Sequence, residues 1–407
     1  MIKMKHLRHP LRTANAVRRR VADYLDRKRF VDYGERRFRG DARYDLRNVT
    51  HGFVSRIDDA GDDAALLQRI CTAYIKAVER QPFAATIYQS TEWWREVRER
   101  SLGPVMRALQ ARDVDTLSRM YRNFFRDPCS TGLVGVPYGM SEAYLGRAAK
   151  DLHRRFYLSD VLYCIDYWMA QTGGRFSLCD LAGPGIGNPF GISVEGTLVT
   201  TRAAFQHYCA QRIGSELGPG RNLVAEIGGG FGGMAYYLLR DRQDLAYLDF
   251  DVPESIALTS YYLLKAFPKL NFLLYCEKDL TSEELARADV VLMPLFEMEK
   301  MPVKSVDVTF SSHAISDTSH EVMCAYLEII GRITRSCFLC VGNSQQQTAI
   351  SRAARESDDL FRQIETRPSD WHSHKYPTES EVECLYRIGN IQDSPQSKGH
   401  GGLAACR

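Results

Sequence analysis

No apolar run reaches the roughly 18 residues that a membrane-spanning helix requires, and no short apolar stretch follows a basic start as in an export signal. A cytoplasmic protein without a transmembrane segment is therefore the expectation. Charge of one sign is also missing. Fifty-three Lys and Arg against 50 Asp and Glu leave a net +3 over 407 residues, which gives the molecule as a whole no attraction for nucleic acid. A disulfide framework is lacking too. Eleven cysteines form an odd count in a long chain without an export signal, and that predicts reduced, mostly buried thiols. The pair Cys337 and Cys340 sits in an apolar run with no second ligand pair nearby, so it reads as core packing and not as a zinc motif.

What is present is enough apolar material, 44% of residues, to build packed interiors, and a length that favours two domains or a core with a large extension. The charge is unevenly spread. Between Lys3 and Arg47 stand fifteen Lys/Arg and six Asp/Glu. Residues 1–50 are accordingly a basic N-terminal arm, with two readings open: a solvated outer helix, or a peripheral contact for anionic membrane surfaces. Residues 51–218 are mainly helical. Leu67, Ile70, Tyr74 and Val78 share one helix face; a second helix starts near Pro104; a third follows an acidic first turn at Asp113 or Asp115; a fourth covers 156–170. Substrate selection and a homodimer interface are expected in this region. Trp93-Trp94 reads as core, interface or ligand platform. The segment Ala182 to Gly191 is too dense in Gly and Pro for regular structure, and it stays open between a connector and a loop that touches substrate or cofactor.

From Asn222 the pattern alternates strand and helix, which predicts an α/β domain over 219–390 with a mostly parallel sheet covered on both faces. A polar, glycine-rich tail, 391–407, is expected to be disordered. The organising stretch is Val224 to Gly233: an apolar strand ends in Glu226, passes through Gly228, Gly230 and Gly232, and enters a helix at Met234. Glycines there admit positive φ and let a ligand approach the backbone, while the helix start supplies free N–H groups and a positive dipole end.

Gly228, Gly230 and Gly233 also fit G-x-G-x-x-G, so a nicotinamide-dependent sugar oxidoreductase is one alternative; a non-catalytic binding protein on the same fold is another. Glu226, two residues before the first glycine, weighs the other way, because an acid there suits a cationic amino group. Nineteen residues after Gly232 the next strand ends in Asp251, placed to accept both hydroxyls of a ribose. The pattern from Glu226 to Gly232 resembles motif I of S-adenosylmethionine (SAM) dependent methyltransferases, and Asp251-Val252-Pro253 resembles the Asp-Leu-Pro of many O-methyltransferases.

The resemblance extends to Gly187-Asn188-Pro189-Phe190-Gly191, Glu195-Gly196, the helix with Tyr208 and Ile213, Val291 to Pro294, and Val306 to Ser311. Over Trp93 to Tyr386 the chain is similar to sugar O-methyltransferases of bacterial glycan and natural-product pathways. That resemblance implies a Rossmann-like class I methyltransferase domain behind a large helical N-terminal region, with SAM as cofactor, S-adenosylhomocysteine as product, and a sugar or glycan as acceptor. Cofactor contacts then fall to Glu226, Gly228, Gly230, Gly232, Asp251, Val252 and Ser312. For adenine, either the turn Leu295-Phe296 or Asp279 serves, depending on which apolar run is the third strand.

A sugar hydroxyl needs a base or a metal to react at neutral pH. The family pattern after Phe310 is replaced here by Ser311-Ser312-His313-Ala314-Ile315-Ser316-Asp317, so the base is assigned from chemistry. His313 is the first choice because imidazole titrates near neutrality, with Asp317 as an alternative base or a group that orients it. His320, beside Glu321, is a further catalytic candidate or a helix cap. His372 and His374 offer closure over substrate or a metal pair. No acid cluster completes such a site, and metal-independent transfer is expected.

Overall fold

The computed structural model describes residues 10–50, 55–58, 62–134, 151–315, 318–356, 360–372 and 380–389. The calls on Asp317, on His374 and on the tail 391–407 fall outside them.

The N-terminal half is built from α1 (Pro10–Arg37), α2 (Ala64–Arg80), α3 (Glu92–Val97), α4 (Gly103–Ala111), α5 (Val114–Tyr121) and α6 (Asp151–Thr172). Asp113 caps α5 by accepting the Thr116 N–H at 3.0 Å, as its position before an apolar run predicts. The basic segment is docked from Phe30 onward: Phe30 meets Phe156 of α6 edge-on at 4.5 Å, and Arg37 and Arg43 both pair with Asp166. No described helix is long and apolar enough to cross a membrane.

A short hairpin, β1 (Ile192–Val194) and β2 (Thr197–Val199), leads into α7 (Ala203–Glu216). The Gly/Pro loop before it proves to be a bracket. Asn188 donates to Ser55 and Asn123, Arg126 donates to the carbonyls of Asn188 and Pro189, and Gly191 closes on Thr50. A side chain at Gly187, where φ is +81°, would run into the Phe124 ring. These residues brace the helical half, and none of them lines the cleft described below.

The rest of the chain runs β3 (Asn222–Ile227), α8 (Gly233–Asp241), β4 (Leu245–Asp251), α9 (Pro253–Ala266), β5 (Phe272–Leu274), α10 (Ser282–Arg287), β6 (Val290–Pro294), β7 (Val306–Ser312), α11 (His320–Ile333), β8 (Thr334–Asn343), α12 (Ser344–Glu356), β9 (Phe361–Pro368) and β10 (Glu381–Ile388). Eight strands form one sheet in the order β5-β6-β4-β3-β7-β8-β10-β9. All pairings are parallel except those of β10, which runs antiparallel to both neighbours. This is the expected fold class in its architecture: an α/β domain with a mostly parallel, Rossmann-like sheet behind a large helical N-terminal region. The order reverses between β3 and β7, and crevices at such switch points, beyond the carboxyl ends of the strands, are where ligands bind in open α/β sheets.

The β8 cysteines are buried and unbonded to each other. Three residues apart on a strand, they face opposite sides of the sheet, so packing is their role here. The helical half is not a separate body. α2 lies along α9, where Tyr261 and Lys265 both reach the buried Asp63, at 2.9 and 2.6 Å.

Candidate functional site

A cleft with about 980 Å³ of empty space, open to solvent, lies over the carboxyl ends of β3, β4 and β7. Its floor comes from the glycine turn and the residues after β4 and β6: Gly228, Gly230, Asp251, Val252 and Leu295. One side is Ser312, His313, Ala314, Thr318 and Tyr326. The opposite wall comes from the helical half, with Ile87 to Thr91, Trp93, Trp94, Gly132 and Leu133.

The turn is shaped by close contacts. Gly228, Gly230 and Gly232 all have positive φ, at 82°, 66° and 86°, and a Cβ on Gly228 would stand 2.4 Å from the Ala314 methyl. The glycine turn and the loop after β7 therefore touch with no room for a side chain between them. Gly232 caps α8 and lets it close on Thr259 and Leu263 of α9; it lies behind the cleft rather than in it.

Three carboxyl groups gather beneath this turn because of strand register. Glu226 on β3 pairs with Asp249 on β4, and Asp251 follows two residues later with the same parity. Glu226 is buried and accepts the Tyr247 hydroxyl at 2.6 Å; burial pushes its pKa up to about 7 against that bond, and Asp251 adds to the rise. Asp249 is fully buried, accepts the Gly229 N–H at 3.1 Å and leaves Oδ2 without a hydrogen-bond partner. Burial first, then Asp251 and Glu226, drive its pKa well upward. Asp251 reaches the cleft. Its Oδ1 accepts from Val252 N–H at 2.7 Å, and its Oδ2 from Gly230 N–H at 3.0 Å and from the Ser255 hydroxyl at 2.5 Å. Burial raises it to about 6 although these bonds pull it down. A carboxylate offers about four lone-pair positions, so the three bonds leave at least one. Ser255 has one hydroxyl proton and also lies 2.7 Å from the Gly230 carbonyl, so Asp251 keeps accepting capacity toward the cleft.

β6 lies beside β4, which makes it the third strand and puts the turn after it at the cleft. Leu295 lines the floor, whereas Phe296 turns inward against Tyr275 at 5.7 Å. Asp279, after β5 at the sheet edge, does not line the cleft. Of the expected cofactor residues, Gly228, Gly230, Asp251, Val252, Leu295 and Ser312 meet in this cleft, and Glu226, Gly232 and Phe296 support it from behind.

On the far side, His313 extends the ladder of β7 by donating its backbone N–H to Val341 at 2.8 Å, then turns with φ of +68°. Its Nδ1 lies 2.9 Å from Ser312 Oγ and its Nε2 3.0 Å from Glu381 Oε1. Since β10 runs against the parallel strands, its first residue, Glu381, arrives at their carboxyl edge. A carboxylate held against Nε2 fixes the tautomer with hydrogen on Nε2, leaving Nδ1 basic and facing the serine hydroxyl. Nothing local in the sequence joins residue 381 to residue 313. His320 does not line the cleft; it opens α11 and pairs with Glu356. His372 lies 3.3 Å from Arg202 and is likewise outside the cleft lining.

The helical wall is invisible to periodicity because Ile87 to Thr91 belong to 3₁₀ turns and extended links. Trp93 is 49% exposed and tilts against Trp94, with ring centroids 5.4 Å apart. Trp94 Nε1 donates to Glu254 Oε1 at 2.5 Å, and Arg98 grips both oxygens of the same carboxylate. Glu254 sits in the first turn of α9, three residues after Asp251.

No family model matches the chain, and no curated protein matches it. Among solved structures the chain is similar to geranyl diphosphate C-methyltransferase from Streptomyces coelicolor A3(2), in complex with Mg2+, geranyl-S-thiolodiphosphate and S-adenosyl-L-homocysteine. The identity is 8%, covering 44% of this chain and 75% of that one, with a TM-score of 0.31. A SAM dependent methyltransferase from Aquifex aeolicus matches at 10% identity, 44% and 89% coverage and a TM-score of 0.31. The N-methyltransferase 2 of Haemonchus contortus, in complex with phosphomonomethylethanolamine and S-adenosylhomocysteine, matches at 16%, 44% and 52%, with a TM-score of 0.31. Likenesses of this depth carry nothing about acceptor or site; the fold class rests on the strand order.

Proposed function

We propose that this protein is a SAM-dependent O-methyltransferase that methylates a hydroxyl of a sugar or glycosylated substrate. The observation that carries the reading is a single cleft with a glycine turn over three carboxyl groups on its floor and a histidine held by Glu381 on its side. The fit to the cofactor rests on the cradle that a Cβ would fill at Gly228 and on the accepting capacity that Asp251 keeps toward the cleft. Charge supports SAM over a dinucleotide. Glu226, Asp249 and Asp251 lie close enough to raise pKa values within the group, so a cation beside them is favoured and a pyrophosphate is opposed.

SAM supplies a methyl group activated by the sulfonium. The chain's task is to orient an acceptor oxygen in line with it, exclude water and remove the hydroxyl proton. Leu295 and Val252 give an apolar floor, and Asp251 would hold the ribose. His313 Nδ1 takes the acceptor proton once Ser312 rotates aside, and Glu381 stabilises the imidazolium that forms. Trp93 and Trp94 offer flat apolar faces, backed by the buried Tyr88 and Tyr326, and with Gln89, Ser90 and Thr91 a mixed surface suited to a sugar ring.

Calorimetry with SAM, S-adenosylhomocysteine and NAD(P) tests the cofactor. SAM is expected to bind and NAD(P) not to, with SAM affinity falling as pH drops from about 8 to about 5 and the acids take up protons. Tight NAD(P) binding without SAM binding would reject the reading in favour of an oxidoreductase.

A further inference from the structure

His320 stands outside the cleft, and its neighbours give it different chemistry. It opens α11; Cys324 follows four residues later on the same face, since residues i and i+4 of a helix adjoin; Glu356 closes α12 opposite them. His320 Nε2 is 3.7 Å from Cys324 Sγ and 3.3 Å from Glu356 Oε2, and the three ligand atoms all lie within 4.8 Å of one another.

We propose that His320, Cys324 and Glu356 form a binding site for a zinc-like divalent transition metal, with three protein ligands tying α11 to α12 and water in the fourth position. Tetrahedral zinc has bonds of about 2.0–2.2 Å to N and O and about 2.3 Å to S, so the edges of the tetrahedron are about 3.4 Å for N···O and about 3.6 Å for N···S. The observed separations are close to those edges. Imidazole, thiolate and carboxylate together suit zinc, cobalt or nickel; magnesium and calcium take oxygen sets.

The site is open to ions from solvent, with the His320 and Glu356 side chains 41% and 54% exposed, which also leaves space for the water. On binding, the Cys324 thiol gives up its proton to solvent and a metal–sulfur bond forms, with no change of oxidation state. Arg352, whose Nε is 4.0 Å from Glu356 Oε1, and Glu328 flank the cluster with opposite charges. The metal would fasten the start of α11 directly after the stretch that carries His313 and Thr318, six residues before Tyr326 enters the cleft. This is a site apart from the acceptor and cofactor groups, and it stands whether or not the proposed transfer reaction is right.

Titration of the full-length protein with Co2+ reads the site directly through the thiolate-to-metal charge-transfer absorption. One Co2+ per chain is expected, displaced by Zn2+, with a rise in Tm on Zn2+ addition. The band should vanish in Cys324→Ser, and affinity should fall by at least ~10-fold in His320→Ala and Glu356→Gln, since loss of supporting partners alone costs about 10- to 100-fold. Absence of the band overturns the proposal. So does a band that survives Cys324→Ser, which would place the ion at another thiol, such as the exposed Cys179 or Cys276 among the described residues, or unchanged affinity in the His320 and Glu356 variants. Those two positions are exposed, so their variants decide the matter even if Cys324→Ser does not fold.

Discussion

The two walls of the cleft are built on different principles. The sheet-side floor is a backbone structure, where Gly228 and Gly230 bend because no side chain fits, and Asp251 is held by N–H groups of its own turn and the glycine turn. The helical wall is a side-chain structure, where Trp93 and Trp94 project from a six-residue helix and Trp94 is fixed by Glu254, itself gripped by Arg98. Backbone geometry is set within a few residues and tolerates little change. A wall of side chains can be altered one residue at a time, and on the proposed function it is where a choice among acceptors would be made.

That contrast can be broken or sharpened by substitution. The largest effect is expected on the sheet side, at the end of β7. His313→Ala should lower kcat by about 10²- to 10⁴-fold, the usual worth of a positioned base, with SAM affinity unchanged by calorimetry; normal turnover would remove His313 from the chemistry.

Beneath the floor, Glu226→Gln tests the buried acids through pH. The fold raises Glu226 from 4.5 to about 7, so it favours the neutral form. The stability this confers is complete below pH 4.5 and is lost as pH rises through 7. Glutamine, neutral throughout, should keep it, making the variant more stable than the parent near pH 8 by up to about 3 kcal/mol, at about 1.36 kcal/mol per pKa unit, and no different near pH 4. Urea denaturation at the two pH values measures this; equal stability at the higher pH would mean that the carboxyl is ionised at little cost.

The smallest effect belongs to the helical wall. Trp93→Ala should raise KM for the acceptor about 10-fold, from the ~0.5–1.5 kcal/mol of an aromatic face contact plus lost apolar area, and leave the SAM dissociation constant alone. An equal change in both constants would erase the distinction between the walls.

The same division explains how far the sequence can be read. β3 to β8 are legible because apolar runs bounded by Gly, Pro and acids have few alternatives, and the glycine turn and Asp251 come with them. β9 and β10 are not. β9 is an edge strand, exposed along most of its length, without the apolar run that marks the others. Glu381 escapes a reading of the sequence for that reason, because it meets His313 only through an antiparallel strand entering from the far edge. The stretch from Ala182 to Gly191 is legible as irregular, but irregular backbone that braces a neighbouring segment looks the same in sequence as one that touches a ligand. Trp93 and Trp94 stay ambiguous in sequence, since only the placement of Glu254 and Gly132 shows which way they face. His320 reads as a companion of His313 because the two are close in the chain, yet the helix start carries it away from the cleft.

The grip of Arg98 and Trp94 on Glu254 has a consequence for how such a protein changes over time. Asp251, Val252 and Glu254 belong to one short stretch of backbone from the end of β4 to the first turn of α9, so on the proposed function the residues that would meet the cofactor are mechanically the same piece as the post on which the helical wall hangs. A drift at residues 251–255 that retunes one ligand shifts the anchor of the other. Under that proposal a change of acceptor could act on Trp93 alone, whereas a path through α9 would carry both ligands with it.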